Sequence, residues 1–215
     1  MFKVAFDIFH VGFWSSEIGL QFPEHSFSFV ESKVVREKKS LLVMVHGESL
    51  LFSKIVLFLS GRKGVFKVEQ IWKKGEEMCL RVLMTSQYSS LWNLPTAIEE
   101  KMAPISHTRI VEKYERWMFG APTKIAATRM YQALKKKYNV RVVSVVELSP
   151  EKKVMFEQLT WKQLEMFLFA SHLGYYEWPR KITVATMCRV LGVPKTVVLS
   201  HLRKAEQKVL KTVLD

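Results

Sequence analysis

TVATMCRVLGVPKTVVLSHLRKAEQKVL, from Thr183 to Leu210, has the residue spacing of a helix-turn-helix. A helix-turn-helix needs a small residue where its two helices cross, a Gly where the first helix ends, and an apolar residue just after the turn. It then needs inward-facing apolar residues on the second helix. Cys188 is the small residue, and Gly192 supplies the positive φ that ends a helix. Val193 fills the corner, while Val198 and Leu202, four apart, face inward with Ala205 behind them. Pro194 suits the first turn of the second helix, where a missing N–H costs little. The spacing predicts one helix over Thr183 to Leu191 and another over Pro194 to Leu214.

The face left over by that apolar stripe is the candidate reading surface. Lys195, Thr196, Leu199, Ser200 and Arg203 project from it, at the helix end expected to enter the major groove of double-stranded DNA. Lys195, Arg203 and Lys204 suit phosphates or guanine edges, and the Thr196 and Ser200 hydroxyls suit either. Leu199 suits a thymine methyl, and Lys208 and Lys211 continue the positive charge along the helix. The plainer reading of the same residues is an amphipathic hairpin with a solvated basic face.

The stretch that precedes and includes this segment, LTWKQLEMFLFASHLGYYEWPRKITVATMCRVLGV, carries a more specific signal. Leu159-Thr160 and Gln163 open a helix, and Gly174-Tyr175-Tyr176-Glu177-Trp178-Pro179-Arg180 follows it. Leu191-Gly192-Val193 forms the turn, and Arg203-Lys204-Ala205-Glu206-Gln207-Lys208 the basic exit. In these elements, over about residues 158–211, the chain resembles the bacterio-opsin-activator type of helix-turn-helix found in archaeal regulators. Cys188 stands where Ala is usual in that family, and Pro194 where a capping Ser is usual. The resemblance implies transcriptional regulation in an archaeon, with a variable N-terminal region acting as sensor or partner surface.

Composition agrees with a polyanionic partner. The 215 residues carry 33 Lys+Arg against 20 Asp+Glu, a net charge of +13, and such an excess favours phosphates, whose neutralisation releases counterions. The excess is denser over residues 151–215, with 11 Lys+Arg and 6 Asp+Glu, than over residues 1–150, with 22 and 14. Hydrophobic residues make up 48%, enough for a real core and against disorder. The start, MFKVAFDIFHVGFW, lacks the form of a signal peptide. The longest apolar candidate, Ser49 to Ser60, is broken by Lys54 and falls short of the roughly 20 residues that span a bilayer. A soluble, cytoplasmic protein without a membrane partner is expected.

The front of the chain reads as strands with helices between them. Lys3 to Val11, His25 to Ser32, Ser40 to His46 and Val65 to Trp72 read as strands, with helices over Trp14 to Phe22 and Glu48 to Leu59. The same β-α-β-β-α-β order recurs. Strands are expected at Met78 to Met84, Ile105 to Val111, Tyr114 to Phe119 and Val140 to Glu147, and helices at Tyr88 to Met102 and Pro122 to Tyr138. The fold class expected is therefore an α+β region of tandem ferredoxin-like (ACT-like) units, followed by an all-α helix-turn-helix domain. The boundary falls at the polar, Pro-containing Ser149 to Lys153, giving an α+β region over 1–149, with repeats 1–74 and 75–149, and a DNA-binding domain over 150–215. A third helix of that domain is expected over Thr160 to Leu173, with Thr160 as N-cap and Gly174 as stop.

No catalytic constellation stands out. Cys79 and Cys188 belong to no Cys/His cluster and read as reduced core thiols. His10, His25, His46, His107, His172 and His201 are scattered without ligand spacing, so neither a metal nor another cofactor is expected. Glu76-Glu77 and Glu99-Glu100 read as solvated loop charges, and Trp14, Trp72, Trp92, Trp117 and Phe119 as core or interface. The expectation is a non-enzymatic, sequence-specific regulator that binds double-stranded DNA as a homodimer. Its front region would sense a small-molecule effector or hold the dimer together, and the transcription machinery would be a further partner. The alternatives are an adaptor using its basic helix against an acidic protein, and an enzyme with a helical targeting module.

Overall fold

The computed structural model describes residues 1–10, 12–35, 38–85, 102–105, 108–149 and 158–214. Contacts divide the chain into two compact units, Lys3–Val145 and Val146–Asp215 with Met1–Phe2. In chain order the front holds β1 (Phe2–Phe9), α1 (Trp14–Gln21), β2 (Ser26–Val35), β3 (Lys38–His46), α2 (Phe52–Ser60) and β4 (Val65–Lys74). It continues with β5 (Glu77–Thr85), β6 (Ala103–Pro104), β7 (Thr108–Val111), β8 (Tyr114–Ala121), α3 (Lys124–Lys135) and β9 (Asn139–Glu147). The rear holds α4 (Trp161–His172), α5 (Val184–Leu191) and α6 (Lys195–Leu214).

Most elements fall where hydrophobic period places them, and two differ in instructive ways. The expected strand over Ile105 to Val111 is shorter: β7 begins at Thr108, and the two-residue β6 pairs separately with β8. The helix expected from Pro122 starts at Lys124, because the Thr123 side chain accepts the Ala126 N–H at 3.1 Å and so sets the cap. The expected helix over Tyr88 to Met102 lies outside the described residues apart from Met102. Trp92, Glu99, Glu100, His107 and the break at Pro150 to Lys153 also lie outside them.

Among the described residues nine strands join one sheet in the order β4-β5-β3-β2-β7-β8-β1-β9, with β6 on β8. The β2–β3, β3–β5, β4–β5, β2–β7 and β7–β8 pairs are antiparallel. Counted inward from its two edges, the sheet runs β4-β5-β3-β2 and β9-β1-β8-β7. Two self-contained repeats would place β1 beside β3 and β5 beside β8. In the sheet β5 lies beside β3 and β1 beside β8. Gly75, at φ +55°, closes a two-residue hairpin in which Lys74 faces Glu77. That hairpin sets β5 beside β4, and the other side of β5 pairs with β3.

On one face of the first half, Trp14 and Ile18 of α1 and Ile55 and Leu59 of α2 pack on Phe29, Val43, Leu80 and Val82. The register that places Val43 between Phe29 and Leu80 puts these side chains on one side of the sheet. Gly19 lets α1 approach closely, since a Cβ there would lie 2.0 Å from the Glu112 carbonyl oxygen. Among the described residues no helix is long and apolar enough to cross a membrane.

Candidate nucleic-acid interface

Each helix of the rear unit begins or ends where its own residues dictate. At α4 the Thr160 hydroxyl accepts the Gln163 N–H at 3.3 Å and the Gln163 side-chain oxygen accepts the Thr160 N–H at 3.1 Å, a reciprocal capping box. At α5 the Thr183 hydroxyl accepts the Thr186 N–H at 3.2 Å. That helix stops at Gly192, which takes φ +64° and ψ +33° and donates its N–H to the Cys188 carbonyl at 2.8 Å. Pro194 lies one residue before α6, where its carbonyl accepts the N–H groups of Val197 and Val198 at 3.1 and 3.2 Å. It thus starts the hydrogen-bond ladder as the cap residue, one position earlier than its reading as a first-turn residue.

The stripe facing the unit's interior is the expected one. Val198, Leu202 and Ala205 are buried, together with Met187 and Val190 of α5 and Leu164 and Phe169 of α4. Val193 and Cys188 are half-buried, so the turn is closed by partly wet side chains and Cys188 is not a core thiol.

At 100° per residue, Thr196, Ser200 and Arg203 fall on the side of α6 opposite Val198, Leu202 and Ala205, and Leu199 falls on the flank between the two sides. Thr196, Ser200 and Arg203 are exposed, and Lys195 and Lys204, also exposed, flank them. Leu199 is half-buried, its apolar body partly covered. These six residues form one surface. Lys208 departs from it: half-buried, it donates from Nζ to the Gln158 carbonyl at 2.7 Å and to Gln163 Oε1 at 2.9 Å. Its charge ties α6 to the start of α4 instead of extending the outer face. Two exposed cations that the sequence reading did not assign, Arg180 and Arg189, belong to the same unit. Arg189 was legible as the basic residue in the last turn of α5.

The Gly-Tyr-Tyr segment braces α6. Gly174, at φ +75°, lets the chain leave α4, and its carbonyl accepts the Lys181 N–H at 3.1 Å. The Tyr176 hydroxyl donates to Glu206 Oε1 at 2.8 Å, and its ring stands 5.3 Å from that of Phe167. Burial and the Glu206 carboxylate raise the pKa of the Tyr176 hydroxyl, so it stays a donor. Arg180 lies over the Tyr175 ring at 4.6 Å, a cation–π contact. Glu206 is thereby drawn toward Tyr176.

In the front unit the fold gathers polar groups that are remote in sequence. Ser15 Oγ donates to Glu115 Oε1 at 2.5 Å, Trp117 Nε1 donates to Oε2 at 3.0 Å, and His10 Nε2 stands 3.5 Å from Oε2. Burial works to raise the Glu115 pKa, but these contacts, His10 foremost, outweigh it and hold it below the ordinary glutamate value. The serine bonds to the carboxylate and not to the imidazole, so the cluster has the wiring of a buried structural network, not of a nucleophile and its base. Burial pushes the Cys79 thiol up to about 12, which leaves it protonated and inert. Among the described residues no group of three or more His, Cys, Asp or Glu could hold a metal ion.

Comparison with known proteins points to the rear unit. Residues 159–211 match the HTH DNA binding domain family. Over 57 residues the chain is 42% identical to the dimethyl sulfoxide reductase transcriptional activator of Haloferax volcanii, covering 26% of this chain and 27% of that protein. Over 59 residues it is 32% identical to the transcriptional regulator NarO of the same organism, covering 27% and 28%. The chain thus spans little more than a quarter of the length of these relatives. With the capped helices, the left-handed Gly192 turn and the Gly-Tyr-Tyr brace, residues 159–211 are a helix-turn-helix DNA-binding domain of the bacterio-opsin-activator type.

Proposed function

We propose that this protein is a sequence-specific transcriptional regulator whose α6 enters the major groove of double-stranded DNA. Thr196, Leu199, Ser200 and Arg203 read base edges, and Lys195 and Lys204 hold phosphates on either side. The observation that carries this reading is the exposed stripe of α6, opposite buried Val198, Leu202 and Ala205, on a domain of a DNA-binding family. Lys208 takes a bracing role, given its bonds to Gln158 and Gln163. The relatives' names, an activator and a regulator of transcription, support the same role here, with the transcription machinery as the downstream partner and the cytoplasm as its place.

Residues 1–149 form the sensing and dimerising part and residues 150–215 the reading head. The front consists of two ferredoxin-like units that have exchanged their first strands, a reading supported by the matching half-sheet orders β4-β5-β3-β2 and β9-β1-β8-β7. A groove of about 320 Å³ beside α3, lined by Val4, Phe6, Ala127, Tyr131 and Val142, has the size and apolar character for a small effector. The protein acts as a homodimer, so that two copies of α6 meet half-sites one helical turn apart.

Selection of fragments of the source genome by the full-length protein tests this. A shared, palindromic sequence among the bound fragments is expected, and Arg203→Ala is expected to weaken binding to it by about 1–3 kcal/mol. Recovery of unrelated fragments, or an Arg203→Ala variant that binds as tightly as the wild type, would overturn the assigned reading face.

A further inference from the structure

The two edges of the nine-stranded sheet differ in kind. β4 carries the devices that keep an exposed edge from pairing: Lys67, Lys73 and Lys74, with register irregularities at Val65/Lys67 and Gln70/Trp72. β9 reads Asn-Val-Arg-Val-Val-Ser-Val-Val-Glu from Asn139 to Glu147 and holds neither Lys nor Pro. Val142, Val143, Val145 and Val146 are 44%, 42%, 45% and 54% exposed. Its one cation, Arg141, reaches along the sheet to Asp7 of β1, at 2.8 Å from Nη2 to Oδ2. Among the described residues no strand pairs with the outer side of β9. A long, β-branched, unguarded edge is a template for another strand.

The sequence of β9 names that strand. Counted outward from Ser144, it is its own complement: Val143 with Val145, Val142 with Val146, and Arg141 with Glu147. We propose that β9 pairs antiparallel with β9 of a second copy of this chain about a twofold axis through Ser144. Val142 then meets the partner's Val146 and Val143 the partner's Val145, each pair on one face of the joined sheet, while Arg141 keeps its bonds to Asp7. A slip of one residue would send the paired side chains to opposite faces. A slip of two would set Arg141 against a valine or against Ser149. The register about Ser144 is thus the one that sets all four valines against valines. The inference rests on the homodimer proposed above and assigns its surface.

Sedimentation of the full chain without DNA, with two variants, tests it. The wild type is expected to be a dimer. Val145→Lys changes an exposed side chain, so the circular dichroism spectrum should hold while the dimer dissociation constant rises roughly tenfold or more. Ser144→Cys should yield, on mild oxidation, a dimer linked between the two 144 positions, because directly opposed strand residues lie within disulfide reach. A Val145→Lys dimer as tight as the wild type, with no link at residue 144, would overturn this surface and leave the homodimer standing on another one. A wild-type chain that stays monomeric as concentration rises would overturn both.

Discussion

At Gly192 the backbone takes φ +64° and ψ +33°, a conformation in which any side chain strains its own backbone. An added Cβ would meet nothing within 4 Å, so the cost of a substitution there comes from the backbone alone. Gly192→Ala is therefore expected to destabilise the rear unit by about 1 kcal/mol, measured by chemical denaturation followed by circular dichroism. An unchanged midpoint would mean that the turn relaxes out of the left-handed region. Gly192 was legible because a Gly between two apolar periods has few other uses. Lys208 was not. Its spacing on α6 suggests an extension of the basic face, but Gln158 and Gln163 fold back to capture it, and such a partner 45 or 50 residues away leaves no local mark.

Between elements, Asp7 decides more than any single strand pair in the front unit. It is fully buried on β1 and bonded by Arg116 of β8, at 2.7 Å from Nε to Oδ1, and by Arg141 of β9, so one carboxylate joins three neighbouring strands. Burial acts to raise its pKa, but the two guanidinium groups outweigh burial and hold it below the ordinary aspartate value. A depressed carboxylate stabilises the fold fully above its unfolded pKa, and this contribution is lost as pH falls below about 4 toward the folded value. Asp7→Asn should cost about 1–2 kcal/mol at neutral pH, since it removes the charge from two ion pairs whose guanidinium groups are partly solvated. Its melting temperature should also fall less than the wild type's between neutral pH and about pH 3, because one acid-labile group is gone. Equal acid losses in both proteins would show that Asp7 does not carry this pH dependence. The Ser15–Glu115 bond is of the same kind, joining α1 to β8 across 100 positions. Strands and helices are legible singly through their period, but a polar residue such as Asp7 inside a strand gives no sign of which strand will neutralise it.

Across the whole molecule, the number of phosphates that its basic side chains neutralise sets how DNA binding responds to salt. Each phosphate neutralised contributes about 0.9 to the slope of log affinity against log salt. Removing Lys195 or Lys204 should therefore lower the slope by about one and weaken all sequences alike, whereas removing Thr196 should alter sequence preference and leave the slope in place. Binding titrations at several salt concentrations separate the two. An unchanged slope in both Lys variants would move the phosphate contacts to other cations, of which Arg180 and Arg189 are exposed. The helix-turn-helix and the run of elements in front of it follow from local sequence. Caps, Gly stops and apolar period act within a few residues of each other, so Thr160, Thr183, Gly192, Val198 and Leu202 could be placed before any contact was known. The tertiary structure alone decided which strands become neighbours: β5 lies beside β3 and β1 beside β8, against the order that two separate repeats would give. Strand pairing joins backbone groups that every residue except proline presents alike. Beyond the local hairpin at Gly75, the choice among partners is therefore made by the packing of the assembled sheet, which is not written in the strands themselves.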